Sequence, residues 1–339
     1  MPATIYEEIK ASRELPSPTG VALQILKLAQ DEDSTVEQIA AVVESDPAIV
    51  SRLLKLVNSP LAGMPRQIAS IQRTVALLGV NTVTSLALGF SLVSNHRQGE
   101  CSAFDHELFW SESVARGAAA RHIANRVKSF SPDEAFTCGL LSQIGRLALA
   151  TAFPEHYANT LRTAASDDSE ELAEVEQAVF GIDHNELAAE MMGDWHMPVI
   201  FQEAVRAQGA PDKGNLEPDS RAVLFARILH LAGSIAWVLT RPTVYRDDLS
   251  TLVLEANRLR ISPHIYHEVF DAIANEWREA GSIFSVRTRR VPPLAEIYSQ
   301  AQERQGVLEK KGTVHAPDTL TGWKAGPTDQ IGEGYSARG

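Results

Sequence analysis

The chain has 339 residues, 44% of them hydrophobic and 22% charged, which is enough for two or three domains with a sizeable core. Its 31 basic and 43 acidic residues give a formal net charge of −12, and such an acidic chain does not favour nucleic acid binding, which needs clustered Lys and Arg. The two cysteines form no CxxC motif and the N-terminus has no apolar signal core. We also expect no apolar run to be long enough to span a bilayer, and therefore a cytoplasmic protein without disulfides or a membrane segment.

The first hundred residues read as a series of short helices with apolar residues at three- and four-residue spacing. Ser34 and Glu37 are spaced as a capping box, and Asp46 followed by Pro47 is typical of an N-cap and first helical residue. Gly79 is predicted to end a helix that opens at Ser70. No stretch alternates with a period of two, so we predict an all-α fold.

A polar segment at 95–105 indicates a boundary, and long helices are predicted at 107–127 and 220–239. Between them, a helix is predicted over 131–150, opened by a capping box of Ser131 and Glu134. Ser142 and Gln143 lie side by side within its apolar run. Buried polar side chains need partners, so these two either join a hydrogen-bond network or line a cavity.

Several blocks of this sequence, in order, resemble the HDOD family, the HD-related output domain of bacterial signalling proteins. The resemblance covers about 15–277 and rests on these blocks: Leu15-Pro16, Asp46-Pro47, Asn58-Ser59, Ile68-Ala69-Ser70-Ile71, Val75 to Gly79, Phe109-Trp110-Ser111, Gly139-Leu140-Leu141, Ile144-Gly145-Arg146, Phe180 to His184 and Trp195 to Pro198. It implies a two-lobed helical module. The N-terminal lobe would span 1–100 and a lobe similar to HD-type metal phosphohydrolases 101–285, followed by a C-terminal helix and flexible tail at 286–339.

An active HD site needs imidazoles and carboxylates that converge on one or two metal ions. The resemblance implies that the ligand positions fall on Glu112, Ser142, Gln143, His184 and Gly233. Only His184 keeps a ligand of the expected type, so we expect no metal, no other cofactor and no catalysis. The alternative is a metal phosphohydrolase with rearranged ligands.

Residues 34–58 also resemble a helix-turn-helix, with two short capped helices joined by a turn. The second helix carries only Arg52 and Lys55 as basic residues, and Glu44 and Asp46 precede it. A recognition helix usually offers more donors to phosphates and base edges. We therefore favour a packed helix pair, and a DNA-binding regulator is the alternative.

Together these features predict a non-enzymatic signalling module that binds another signalling protein. No receiver, kinase or cyclase segment is recognised, so the partner is expected to act in trans. The resemblance implies links to two-component or cyclic-dinucleotide circuits that control motility, stress or virulence. The irregular segment with Leu61, Met64 and Arg66 is the candidate partner surface. The former metal cavity is expected to be a structural polar cluster or a small-ligand pocket.

Overall fold

A computed structural model describes residues 4–31, 33–59, 66–164, 169–213, 216–217 and 220–310. These residues form seventeen α-helices and no β-strand, which confirms the all-α prediction. The candidate partner residues Leu61 and Met64, and the predicted tail beyond residue 310, lie outside the described residues. The division into lobes at 100 and 285 stays a prediction.

The N-terminal helices begin mostly where local capping signals predict. Asp46 Oδ1 accepts hydrogen bonds from the N–H groups of Ala48 and Ile49, at 2.8 and 3.2 Å. The capping box predicted from Ser34 lies one residue later, where Thr35 pairs with Gln38. These helices are α1 (Ile5–Ser12), α2 (Gly20–Ala29), α3 (Val36–Glu44), α4 (Pro47–Val57), α5 (Ile71–Leu78) and α6 (Val80–Asn95).

The remaining helices build the larger part of the fold. The long helix predicted at 107–127 is observed as α7, and the apolar helix at 220–239 as α14. Their bounds are α7 (His106–Val127), α8 (Pro132–Leu141), α9 (Ile144–Ala152), α10 (Pro154–Thr163), α11 (Ser169–Phe180), α12 (His184–Asp194), α13 (Val199–Ala207), α14 (Arg221–Thr240), α15 (Arg246–Arg258), α16 (Pro263–Phe284) and α17 (Leu294–Lys310).

The single helix predicted at 131–150 is wrong, because the chain breaks at Ser142 and Gln143 into α8 and α9. The Ser142 hydroxyl donates to the carbonyl oxygen of Gly139 at 2.9 Å. Its own carbonyl oxygen accepts from Gln208 Nε2 at 2.7 Å, a partner 66 residues away. The predicted capping box at Ser131 is also not formed, since that side chain makes no cap hydrogen bond.

Helix α14 is the centre of the second half and packs against α7 and α13. The expectation that no segment could span a bilayer is wrong by length and composition. Within the described residues, α14 has 20 residues, and an 18-residue stretch of it has a mean hydropathy of 1.8. Two bent helix pairs, α5 with α6 and α8–α9 with α10, are also long and apolar enough to cross a membrane if each pair is one span. In this fold, 72% of that 18-residue stretch of α14 is buried. A helix that is apolar on most faces is typical of a position in the core.

One continuous apolar core joins the two halves of the chain. Phe90 of α6 lies 4.5 Å from Phe284 of α16, measured between ring centroids. Gly89 lets α6 approach α8 closely, because a Cβ there would lie 2.7 Å from Leu140 Cδ2. The Lys10 ammonium of α1 pairs with the Asp194 carboxylate of α12 at 2.6 Å. The halves therefore share packing and charge contacts.

Candidate functional site: an arginine-lined cavity

A cavity of about 50 Å³ lies between α7, α14 and the first turns of α9 and α12. A water needs at least about 10–15 Å³ by the same measure, so the cavity has room for several waters or one small anion. Its lining combines three arginines with one carboxylate. The lining residues are Glu112, Arg116, Gln143, Arg146, Leu161, Ala164, Leu172, His184, Gly233, Ala236, Trp237 and Arg241.

Four of the five predicted HD-site positions line this one cavity: Glu112, Gln143, His184 and Gly233. Ser142 does not, because its side chain and carbonyl oxygen are used at the break between α8 and α9. The break turns Gln143 out of the helical path and brings it to the cavity wall. The structure thus brings together residues that are far apart in the sequence.

His184 begins α12, is fully buried and forms part of the cavity wall. Its Nδ1 lies 2.5 Å from Glu176 Oε2, which also accepts from the His184 main-chain N–H at 2.8 Å. Tyr157 donates its hydroxyl to Glu176 Oε1 at 2.8 Å. Because a carboxylate only accepts, the Nδ1 atom carries a proton, and Nε2 is left without a hydrogen-bond partner among the described residues.

The Glu176 carboxylate is ionised despite its burial. Burial raises its pKa, but the charge of His184 and the hydrogen bonds from His184 and Tyr157 outweigh that effect and hold the pKa below its usual value. The imidazole is therefore held in one orientation by the buried Glu176 carboxylate, and His184 is one of the residues that line the cavity.

Arg116 occupies the space next to Gly233. A Cβ at residue 233 would lie 2.7 Å from Arg116 Nη1 and 3.0 Å from its Cζ, so a larger side chain there would displace the guanidinium. Burial lowers the pKa of Arg116 to about 10, the Glu112 carboxylate opposes this shift and Arg146 adds to it. At neutral pH, Arg116 therefore remains a poorly solvated cation.

Glu112 lies between two further arginines. Its carboxylate is 3.9 Å from Arg146 Nη1 and 3.6 Å from Arg241 Nη1. The Arg241 guanidinium is also 3.9 Å from the centre of the Trp237 ring, a cation–π distance. Burial lowers the pKa of Arg146, but interactions with Tyr157 and nearby carboxylates outweigh this and raise it. The arginines outnumber the carboxylate three to one.

These residues do not fit the metal ion that the resemblance implies. Metal ions need converging imidazoles, thiolates or carboxylates, and no group of three such residues that could hold a metal ion occurs in the described part of the chain. Glu112 already contacts two guanidinium groups, and Arg116 lies at the position of the expected aspartate. Three positive charges oppose a cation here, so we derive no step through a metal.

Neither Arg116 nor Glu176 is among the site residues predicted from the sequence. Arg116 lies one helical turn after Glu112, so it shares the face of α7 that carries the predicted site residue. Glu176 lies four residues after Leu172 on α11, within an otherwise apolar stripe. A charged residue at an inward-facing position needs a buried partner, and that signal could have indicated both.

The two other predicted sites look different in the structure. Arg52 donates to the carbonyl oxygen of Phe90 at 3.4 Å and to Ser94 Oγ at 3.2 Å. This basic residue of the helix-turn-helix-like pair is therefore held by α6. Arg66, of the candidate partner surface, is exposed. Asn58 joins the ends of that segment, since its side chain both donates to and accepts from the backbone of Ile68 at 2.7 Å.

The fold and cavity define a helical module with an arginine-lined pocket. The family model of the HDOD domain matches residues 15–211, more than half of the chain, and the chain belongs to this family. The matched region starts where the resemblance predicts, at Leu15, and ends well before residue 277. It contains all the cavity residues up to His184, whereas Gly233 and Arg241 lie beyond it.

Known relatives extend these comparisons. The chain is 36% identical to the MmoQ response regulator of Methylococcus capsulatus str. Bath, over 74% of this chain and 95% of that one, with a TM-score of 0.47. An HDOD domain protein from Geobacter sulfurreducens shares the fold, with a TM-score of 0.61, 18% identity, and coverage of 82% and 97%. An uncharacterized protein of Treponema pallidum (strain Nichols) is 24% identical over 60% of this chain, which spans 39% of that protein.

Proposed function

We propose that this protein is a non-enzymatic signal-transduction module that acts by binding another signalling protein. One observation carries the proposal: three guanidinium groups share the cavity where the resemblance expects a metal site. A site without converging metal ligands has lost the means to activate water in the way that HD-type hydrolases do. Recognition of a partner is the use of the fold that we propose.

Family membership and the 36% identity with a response regulator support a role in signalling. Fold alone does not set function, so the link to two-component or cyclic-dinucleotide circuits, and to motility, stress or virulence, is part of this proposal. The partner is a second signalling protein that binds in trans. The segment between Asn58 and Ile68 is the candidate contact, because its ends are held together while Arg66 is exposed.

The structure gives no support to the two alternatives. The second helix of the helix-turn-helix-like pair presents Lys55 to solvent, while Arg52 is engaged with α6, so few donors remain for phosphates. A rearranged metal site would need ligands to converge, and the arginines around Glu112 oppose this. Interaction with a protein partner is therefore the function that we favour.

The test is an affinity pull-down with the full chain, followed by mass spectrometry, in wild type and two variants. Leu61/Met64/Arg66→Ala alters the candidate surface. Arg206→Gln is the control, because Arg206 forms an exposed ion pair with Glu190 at 2.6 Å and is not one of the candidate surface residues.

We expect the same partner to be captured by wild type and by Arg206→Gln, and to be lost from the triple variant when circular dichroism shows unchanged helicity. Equal capture by all three proteins would contradict the proposed contact surface. A metal-dependent phosphodiesterase activity that follows stoichiometric metal in the purified protein would overturn the non-enzymatic assignment.

A further inference from the structure

We infer that the cavity is a binding site for a phosphate group, either inorganic phosphate or the phosphate of a small metabolite, held without metal by Arg116, Arg146, Arg241 and His184. The inference deepens the proposed function, since it assigns a ligand class to a cavity that the proposal treats as non-catalytic. It rests on charge, on unsatisfied polar atoms and on size.

Charge favours a dianion. Arg116, Arg146 and Arg241 contribute three positive charges to the lining, and Glu112 contributes one negative charge. Glu176 contacts His184 and does not itself line the cavity. The excess of two positive charges matches the phosphate dianion. An arginine that burial has destabilised, as at Arg116, gains from an anion that replaces its lost hydration.

Two buried polar atoms in this lining lack partners. His184 Nε2 has no hydrogen-bond partner among the described residues, and its side chain is only 1% exposed. Arg146 Nε is also buried and has no hydrogen-bond partner in the described part of the chain. Native proteins rarely leave buried donors unsatisfied. His184 lines the cavity and Glu176 holds its imidazole through Nδ1, so Nε2 is the ring nitrogen left to hydrogen-bond with the phosphate group, while the guanidinium groups donate to its oxygens.

The number of donors and the volume select the ligand class. Three guanidinium groups and one imidazole offer more donors than the two oxygens of a carboxylate can use, whereas a phosphate group presents at least three oxygens. A cavity of about 50 Å³ encloses one such group and leaves any attached organic part outside. The neighbouring Trp237 ring, which Arg241 covers, borders the same cavity.

The experiment measures binding of sodium phosphate to the full chain by isothermal titration calorimetry and by thermal unfolding, without added metal and at constant ionic strength. Sodium acetate is the monocarboxylate comparison. Arg116→Gln removes one cavity charge. Arg206→Gln makes the same charge change at an exposed ion pair outside the lining, and is therefore the matched control. Circular dichroism checks that both variants are folded.

We expect one phosphate per chain and a thermal stabilisation that acetate does not reproduce. Arg116→Gln should lower phosphate affinity at least tenfold, whereas Arg206→Gln should change it less than twofold. If Arg116→Gln does not fold, Arg241→Gln replaces it, with the same expected loss. Equal phosphate affinity in the cavity variant and the control, or equal stabilisation by acetate, would overturn the inference.

The outcomes separate this inference from the proposed function. Phosphate binding together with metal-dependent phosphodiesterase activity would refute the non-enzymatic assignment and leave the anion site standing. Capture of the signalling partner by a chain that binds no phosphate would refute the anion site and leave the proposed function standing. A phosphorylated metabolite is distinguished from inorganic phosphate by titrating glycerol phosphate in parallel, because only an organic phosphate gains affinity from contacts outside the cavity.

Discussion

Gly145 is the position where we expect a single added methyl group, in Gly145→Ala, to lower the stability of the protein most. It lies in the first turn of α9 and faces the start of α12, where His184 lies. A Cβ at residue 145 would be 1.9 Å from the His184 carbonyl oxygen, 2.8 Å from its carbonyl carbon and 2.9 Å from the Ala188 nitrogen. All three are backbone atoms, so no side-chain rotation can relieve the contact.

The expected sign of Gly145→Ala depends on two opposed effects. Helix propensity favours alanine over glycine by up to about 1 kcal/mol. Relief of the clash requires α9 and α12 to separate by roughly 1 Å in a close-packed core, and overpacking of this kind costs about 1–3 kcal/mol, occasionally more. Because the clash is with backbone, we expect the upper end of that range and a net loss of about 2 kcal/mol or more.

Urea unfolding followed by circular dichroism at 222 nm measures this loss as a lower midpoint. Gly193→Ala is the matched control, because Gly193 lies in α12 and a Cβ there would meet only the end of the Gln202 side chain, at 3.3 Å. That control should be neutral or slightly stabilising. A Gly145→Ala protein as stable as the Gly193→Ala protein would refute the packing argument.

Three further predictions concern buried charge, pH and cooperativity. His184→Ala should destabilise the protein by about 3–5 kcal/mol in urea unfolding, because it leaves the Glu176 carboxylate buried without its imidazole partner; an effect below about 1 kcal/mol would contradict the dependence of this buried carboxylate on His184. His230 contacts Glu255 at 3.0 Å, and although burial lowers its pKa, this carboxylate raises it above the ordinary value of 6.5. The contribution is therefore fully present below about pH 6.5 and is lost as pH rises through the folded pKa; an unfolding midpoint that falls no more steeply between pH 6 and 9 in wild type than in His230→Gln would refute it. Leu86→Asp places a charge in the shared core and should lower the stability of the whole chain in one transition by calorimetry; two separate transitions, with only one affected, would show that the halves unfold independently.

Much of the fold could be predicted because its signals are local. Apolar spacing identifies most helices, and Asp46, Ser70 and Asp183 accept hydrogen bonds from the first turns that follow them. Capping joins residues two or three apart, so a short stretch of sequence contains both partners. Where two capping residues are adjacent, as Ser34 and Thr35 are, the sequence does not decide between them, and the structure uses Thr35.

The cavity could be predicted only in part. The resemblance implied Glu112, Ser142, Gln143, His184 and Gly233, and the structure places all of them except Ser142 around one cavity. The break before Gln143 was not predictable from the sequence. In a continuous helix the Ser142 carbonyl oxygen would accept a hydrogen bond from the next turn, but here it accepts from the Gln208 side chain, 66 residues away.

By itself, the sequence determined the helical class and most helix starts, since each depends on residue identity or near neighbours. Tertiary structure alone decided which side chains meet around the cavity. Arg116 and Gly233 are 117 positions apart, yet the missing side chain of one makes room for the guanidinium of the other. Such a contact depends on how α7 and α14 pack, and long-range packing leaves no local signal in either helix.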